Sequence, residues 1–281
     1  MFPVRTLSNG VSIPSIVLGT FQHRDEAELK SLIADAIELG YRAFDTAPSY
    51  HNEEMLGAIF SDFIQDGVIA REDVFLIDKI DGWQMHEGKG AIKPYVLDAL
   101  QKLQTDYLDL LLIHWPFPDY LVETWEAFEQ LHAEGVIRSI GLCNVEARHL
   151  KRLSNQVSTL PHVIQIERNP LNSAKEVIQY CQNSGILVQG YSPVCRMHPK
   201  LADSEIIAEI AEKYGKTKGQ VILRWHFDTG VSPVFMTSRR ERLVEYTEIL
   251  DFRLTEDDVA AIDHLNEDFQ MFLCSRACPG Y

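Results

Sequence analysis

The chain alternates between two hydrophobic periods. Short, continuous apolar runs occupy about 41–45, 73–79, 108–113, 137–142, 162–166, 186–190 and 233–237. Between them, apolar positions recur three or four apart over about 25–39, 52–65, 89–104, 119–134, 146–156, 173–184, 203–214, 217–227 and 240–249. The first set reads as buried strands and the second as amphipathic helices. Strands alternating with helices predict a parallel sheet. Gly40, Gly135 and Gly185 follow three of the helical stretches, and Gly215 separates two others, as C-terminal stops should. Asn9-Gly10, between short apolar runs, predicts a hairpin ahead of a first barrel strand that ends at Gly19-Thr20-Phe21. Thr255-Glu256-Asp257-Asp258 has a capping-box form and predicts an added helix over 256–265, with an irregular tail over about 266–281.

Three of the strands end in titratable groups. Tyr41 to Phe44 runs into Asp45, a turn with Pro48, and Tyr50, before Asn52-Glu53-Glu54 opens a helix. Asp73 to Lys79 delivers a lysine, and Leu110 to Pro116 delivers His114. A charge at the end of an apolar strand is costly unless something pairs with it. Three such ends predict a parallel barrel whose chemistry gathers at the C-terminal rim. The expected fold is therefore an α/β (β/α)₈ TIM barrel with an N-terminal β-hairpin and a C-terminal added helix, one domain over 1–281 with no internal linker.

Composition narrows the partners. The length of 281 residues suits one such barrel. A net charge of −15 argues against a nucleic-acid or anionic-membrane partner and leaves a small molecule. No apolar run approaches the roughly 20 residues of a membrane span, and Met1-Phe2-Pro3-Val4-Arg5 lacks a signal h-region. A cytoplasmic monomer is the expectation. The five cysteines are scattered and lack metal-ligand spacing, so no metal is expected. Cys181 and Cys195 read as reduced thiols, and a regulatory disulfide between Cys274 and Cys278 is the minor alternative for the tail.

The stretches GYRAFDTAPSYHNE, FLIDKI, LDLLLIHWP, IGLCN, VIQIERNP and GYSP, in that order, span nearly the whole chain from Leu7 to about Asn266. In these the chain resembles the aldo-keto reductases. The resemblance implies NAD(P)H-dependent reduction of aldehydes and ketones, with NADPH the expected cofactor and NADH possible. It makes Asp45, Tyr50, Lys79 and His114 a catalytic tetrad. Their chemistry agrees: carbonyl reduction needs an acid for the developing alkoxide, and Tyr50 is the candidate. A tyrosine titrates near ~10, and a Lys79 ammonium held by Asp45 is expected to lower that value. His114 is expected to donate a hydrogen bond to the substrate oxygen. Taken singly, Tyr50 reads as a rim aromatic, Lys79–Asp45 as a structural ion pair and His114 as a core histidine. The constellation carries the catalytic reading.

The resemblance further assigns Asn144 and Gln165 to the nicotinamide carboxamide, Tyr191 to stacking on the nicotinamide ring, Ser192 to the pyrophosphate, and Thr20, Thr237, Arg239, Arg242 and Glu245 to the cofactor site. Two departures stand out. Cys143 replaces the usual Ser, and Met236 and Tyr246 replace the Lys and Asn of the eighth-strand pattern, with Arg239 and Arg240 as compensating cations. Phe21, Trp83 and Trp115 are expected as apolar pocket walls, with Phe272 and Tyr281 closing over the site. Two other functions fit less of the chain: a non-catalytic nucleotide sensor or subunit on the same fold, and an unrelated metal-dependent barrel hydrolase, which no ligand cluster supports.

Overall fold

A computed structural model describes residues 2–272. Cys274, Cys278 and Tyr281 lie outside them, so the expectations placed on those residues are not addressed by the structure. Strands β1 (Val4–Thr6) and β2 (Ser12–Pro14) form the antiparallel hairpin, turning at Asn9-Gly10, where Gly10 takes φ +86°. Eight parallel strands then close a barrel: β3 (Val17–Gly19), β4 (Ala43–Asp45), β5 (Phe75–Ile80), β6 (Leu110–Ile113), β7 (Ile140–Cys143), β8 (Val163–Glu167), β9 (Leu187–Tyr191) and β10 (Val231–Phe235). β10 pairs with β3 to complete the circle. The predicted helices are present to within a few residues, including the capped C-terminal one over Glu256–Asp263. Two four-residue helices, Gly82–Met85 and Pro199–Ala202, are too short to show a period in the sequence.

Strand pleating explains where the site residues fall. Successive side chains alternate between the barrel interior and the helix-facing side. Ala43, Ile77, Leu112, Val163 and Val234 face inward and pack together in one apolar cluster, while Phe44, Leu76, Leu111, Ile164 and Phe235 pack outward against the helices. Two positions beyond each inward residue stand Asp45, Lys79, His114, Gln165 and Met236. The apolar plug below them includes Leu7 and Ile13 from the hairpin, which Asn9 ties to the barrel by donating to the Arg138 carbonyl at 3.0 Å. The hairpin therefore closes the bottom and the chemistry is left to the top.

Outside, helix Glu26–Glu38 shows the general scheme. Leu29, Leu32, Ile33, Ala36 and Ile37 form its buried stripe, and Asp25 caps it by accepting from the Glu28 N–H at 2.9 Å. Among the described residues, no helix is long and apolar enough to cross a membrane.

Candidate active site

Lys79 is the centre of the site. Its side chain is fully buried at the end of β5, and an ammonium there needs partners for all three of its N–H groups. It finds Asp45 Oδ1 at 2.6 Å, the Thr46 carbonyl at 2.7 Å and Tyr50 Oη at 3.4 Å. Burial pulls the Lys79 pKa down, but Asp45, by its charge and its hydrogen bond, together with Tyr50 and Cys143, outweighs it, so the net shift is upward and the ammonium stays charged. The other Asp45 oxygen accepts from Gln165 Nε2 at 2.9 Å, and the Asp45 carbonyl accepts from the Thr20 hydroxyl at 2.9 Å. Thr20 is thus buried beneath the site, bracing Asp45.

Tyr50 comes from the one-turn 3₁₀ helix Pro48–Tyr50 that follows β4, where Pro48 sets the backbone for the turn. Burial raises the Tyr50 pKa, and the nearby Lys79 charge only partly offsets this. The expectation of a net lowering is therefore corrected: in this site the phenol holds its proton firmly. Its ring lies edge-on to His114, with centroids 5.7 Å apart, and against Phe21 at 5.1 Å. His114 Nδ1 lies 2.6 Å from Asp81 Oδ1. Asp81 was not read from the sequence as a site residue, although its place two positions after inward-facing Lys79 is the signal that would have found it.

These groups open onto a cavity of about 360 Å³ lined by Phe21, Asp45, Tyr50, His114, Trp115, Asn144, Gln165, Tyr191, Ser192, Met236, Tyr246 and Phe272, among others. Asn144 adopts φ +56°, and its amide donates to the His114 carbonyl at 2.8 Å while its oxygen accepts from Tyr191 Oη at 2.8 Å. Gln165 spends its amide hydrogens on Asp45 and on Gln189 Oε1 at 3.0 Å, and Cys143 Sγ lies 3.8 Å from Gln165 Oε1. Glu167 accepts from the Met271 and Phe272 N–H groups at 2.8 and 3.0 Å, which carries Phe272 over the cavity, edge-on to Tyr191. Trp83 is the exception among the expected walls. It is 55 % exposed, packs on Tyr95 and does not line the cavity, because the helix Gly82–Met85 turns it outward.

At the eighth strand the structure also corrects the boundaries. β10 ends at Phe235, two residues before the expected 237, so Met236 and Thr237 belong to the loop that leads into helix Arg240–Thr247. Met236 is 43 % exposed at the cavity mouth. Arg242 is paired with Glu245, which also accepts from the Thr217 hydroxyl. Thr237 Oγ1 accepts from the Arg239 N–H at 3.1 Å. Arg240 is drawn to Asp35 and Glu38 of the first helix, so it is not a compensating cation here.

The chain is similar to several known proteins. The family model described as the aldo/keto reductase family matches residues 15–267. The glyoxal reductase of Bacillus subtilis is 38 % identical over 93 % of this chain and 92 % of its own length. The methylglyoxal reductase DkgA of Escherichia coli (strain K12) is 35 % identical over the same shares. A crystal structure of a Bombyx mori aldo-keto reductase in complex with NADP superposes with a TM-score of 0.91 at 32 % identity, covering 98 % of this chain and 96 % of that one. The chain belongs to the aldo/keto reductase family.

Proposed function

We propose that this protein reduces small aldehydes and ketones to alcohols with NADPH, Tyr50 giving the proton. The observation that carries the reading is the chain Asp45–Lys79–Tyr50, with contacts of 2.6 and 3.4 Å, ending in the Tyr50 hydroxyl at the cavity. Tyr50 can deliver its proton to an oxygen on which negative charge develops. Lys79, fixed by Asp45 and Thr46, stabilises the phenolate that remains.

No side chain donates hydride, and a bound nicotinamide nucleotide supplies it. The donor set fits such a group. Gln165 has spent its donors and keeps acceptor capacity on Oε1, while Asn144 retains an amide hydrogen beyond the one given to His114. One acceptor and one donor on neighbouring strand ends complement a carboxamide. Tyr191 presents its ring beside them and Ser192 follows. A 2′-phosphate would be read by Arg242, Thr237 and Arg239, since Met236 offers neither charge nor donor.

Small dicarbonyls are the first candidate substrates, a reading supported by the relatives named for glyoxal and methylglyoxal reduction and by a cavity walled by Phe21, Trp115 and Phe272. The test is consumption of NADPH and of NADH by the full chain against glyoxal, methylglyoxal and a panel of simple aldehydes. Carbonyl-dependent consumption, faster with NADPH, is expected. Tight NADPH binding with no consumption across the panel would overturn the reading in favour of a sensor.

A further inference from the structure

Strand β5 carries a carboxyl group that the catalytic reading does not use. By strand parity Asp78 faces out of the barrel, opposite to its neighbour Lys79, and it is fully buried. Its Oδ1 accepts from the Lys79 N–H at 2.8 Å, while its Oδ2, also buried, meets no donor. What stands within hydrogen-bonding reach of Asp78 is a second carboxyl, that of Glu53, which is 6 % exposed. Glu53 opens the helix Glu53–Gln65, and its Oε2 lies 3.6 Å from Lys102 Nζ, which also pairs with Asp98 at 2.7 Å. That helix is closely seated: a Cβ at Gly57 would fall 2.0 Å from the Lys102 carbonyl oxygen. Two ionised carboxylates in such a place repel, and neither can donate to the other. One proton on Asp78 Oδ2, given as an O–H···O bond to Glu53, removes the repulsion and supplies the missing donor. Burial drives the Asp78 pKa well above the usual carboxylate range. Glu53 and Asp81 push the same way, and the Lys79 N–H and ammonium draw it back only in part. Burial also raises Glu53, with Lys102 opposing and Asp98 reinforcing the shift.

We propose that Asp78 and Glu53 share one proton at neutral pH, and that this bond is a positioning clasp for Lys79 and Tyr50. Asp78 directly precedes Lys79 and holds its N–H, and Glu53 follows Tyr50 by three residues. The clasp thus joins the strand that carries the ammonium to the helix that follows the phenol, and braces the 3.4 Å contact between them from behind. Neither carboxyl lines the cavity, so both act through Lys79 and Tyr50. Loss of the proton sets two like charges against each other in a dry contact and opens the clasp. The shared proton stands on the cluster alone, while its effect on turnover rests on the carbonyl-reductase reading.

Infrared difference spectra of the full chain at neutral pH, wild type against Asp78→Asn, read the proton directly. Asparagine keeps an acceptor for the Lys79 N–H and offers an NH₂ to Glu53, but carries no titrating proton. A protonated-carboxyl C=O band should be present in the wild type, shift on ¹³C-aspartate labelling and be missing from the variant. Denaturant unfolding across pH gives an independent readout. Unfolded aspartate ionises near ~3.9, so the wild type must release the shared proton on unfolding, and the variant has none to release. The folded pKa is the raised one, so the stability Asp78 contributes is complete below the unfolded value and is lost as pH climbs toward the folded one. Above about pH 5 the unfolding constant of the wild type relative to the variant should therefore grow by about ten-fold per pH unit. An Asp78 that merely fills space would leave that ratio constant. For positioning, Asp78→Ala removes both bonds and should lower kcat about ten-fold with NADPH binding kept, and Asp78→Asn should restore it. A wild type without the aspartate band, a pH-independent ratio, or full turnover in Asp78→Ala would overturn the inference. No turnover by the wild type with any carbonyl would overturn the carbonyl-reductase reading instead, and the band and the ratio would still decide the shared proton.

Discussion

The two ends of the barrel rim that would meet a cofactor are built differently. At β4 to β6 the charges are buried and already partnered with one another: all three Lys79 donors have oxygen acceptors, and both Asp45 oxygens are occupied. Beyond β10 the cations stand in half-exposed positions, and two of them have carboxylates beside them, Glu245 for Arg242 and the pair Asp35 and Glu38 for Arg240. The first end needs no rearrangement to act, which is what lets electrostatic preorganisation lower a barrier. At Arg242 an arriving anion would have to displace Glu245, so only part of the new contact would be gained. The geometry of the first end is thus fixed by the fold, while that of the second is left adjustable.

Removing the central charge should break the first end most severely. Lys79→Met leaves Asp45 buried without its cation, and unfolding stability is expected to fall by about 3–5 kcal/mol, read from denaturant titration. The wild-type contribution has a pH signature. Folding raises the Lys79 pKa, so its stabilisation is fully present below ~10.4, the unfolded value, and is lost as pH climbs through the folded one. The Lys79→Met protein should lack that alkaline loss. An unchanged denaturation midpoint would show that the buried pair is not what holds this end together.

A smaller effect is expected at the other end. Arg242→Ala should weaken NADPH binding by about ten-fold and NADH binding much less, measured by titration of each cofactor. Equal losses would mean that no 2′-phosphate is read there. Met236→Lys should widen the NADPH preference by several-fold, less than a full charge pair would give because position 236 is solvent-exposed. Smallest is Glu167→Gln, which keeps one acceptor for the two N–H groups of Met271 and Phe272. KM for carbonyls that reach Phe272 should change by no more than about ten-fold, with kcat for small aldehydes unchanged. A large fall in kcat would place Glu167 closer to the chemistry than this account allows.

The same contrast explains what was legible in the sequence. A buried charge must have a partner, and strand parity says which face it is on, so Asp45, Lys79 and His114 could be placed together from strand ends alone. Asp81 obeyed the same parity but was passed over because the apolar run was read as ending at Lys79, which left Asp81 at the start of a four-residue helix with no period of its own. That same helix turned Trp83 away from the pocket. The Tyr50 shift was misjudged because the sequence shows the neighbouring cation but not how deeply the phenol is buried. Near β10 the partners of Arg240 and Arg242 were unreadable, since surface ion pairs are weak and leave no hydrophobic pattern.

The central claim, that the preorganised end acts through the Tyr50 phenol, is tested most directly by Tyr50→Phe. NADPH affinity and carbonyl turnover should be measured on the same preparation. The substitution removes the hydroxyl and its 3.4 Å contact with Lys79, keeps the ring against Phe21 and His114, and leaves Asn144, Gln165 and Tyr191 in place. NADPH binding close to wild type and a fall in kcat on the order of 10²–10⁴ are expected. Turnover near the wild-type level with NADPH still bound would contradict that claim.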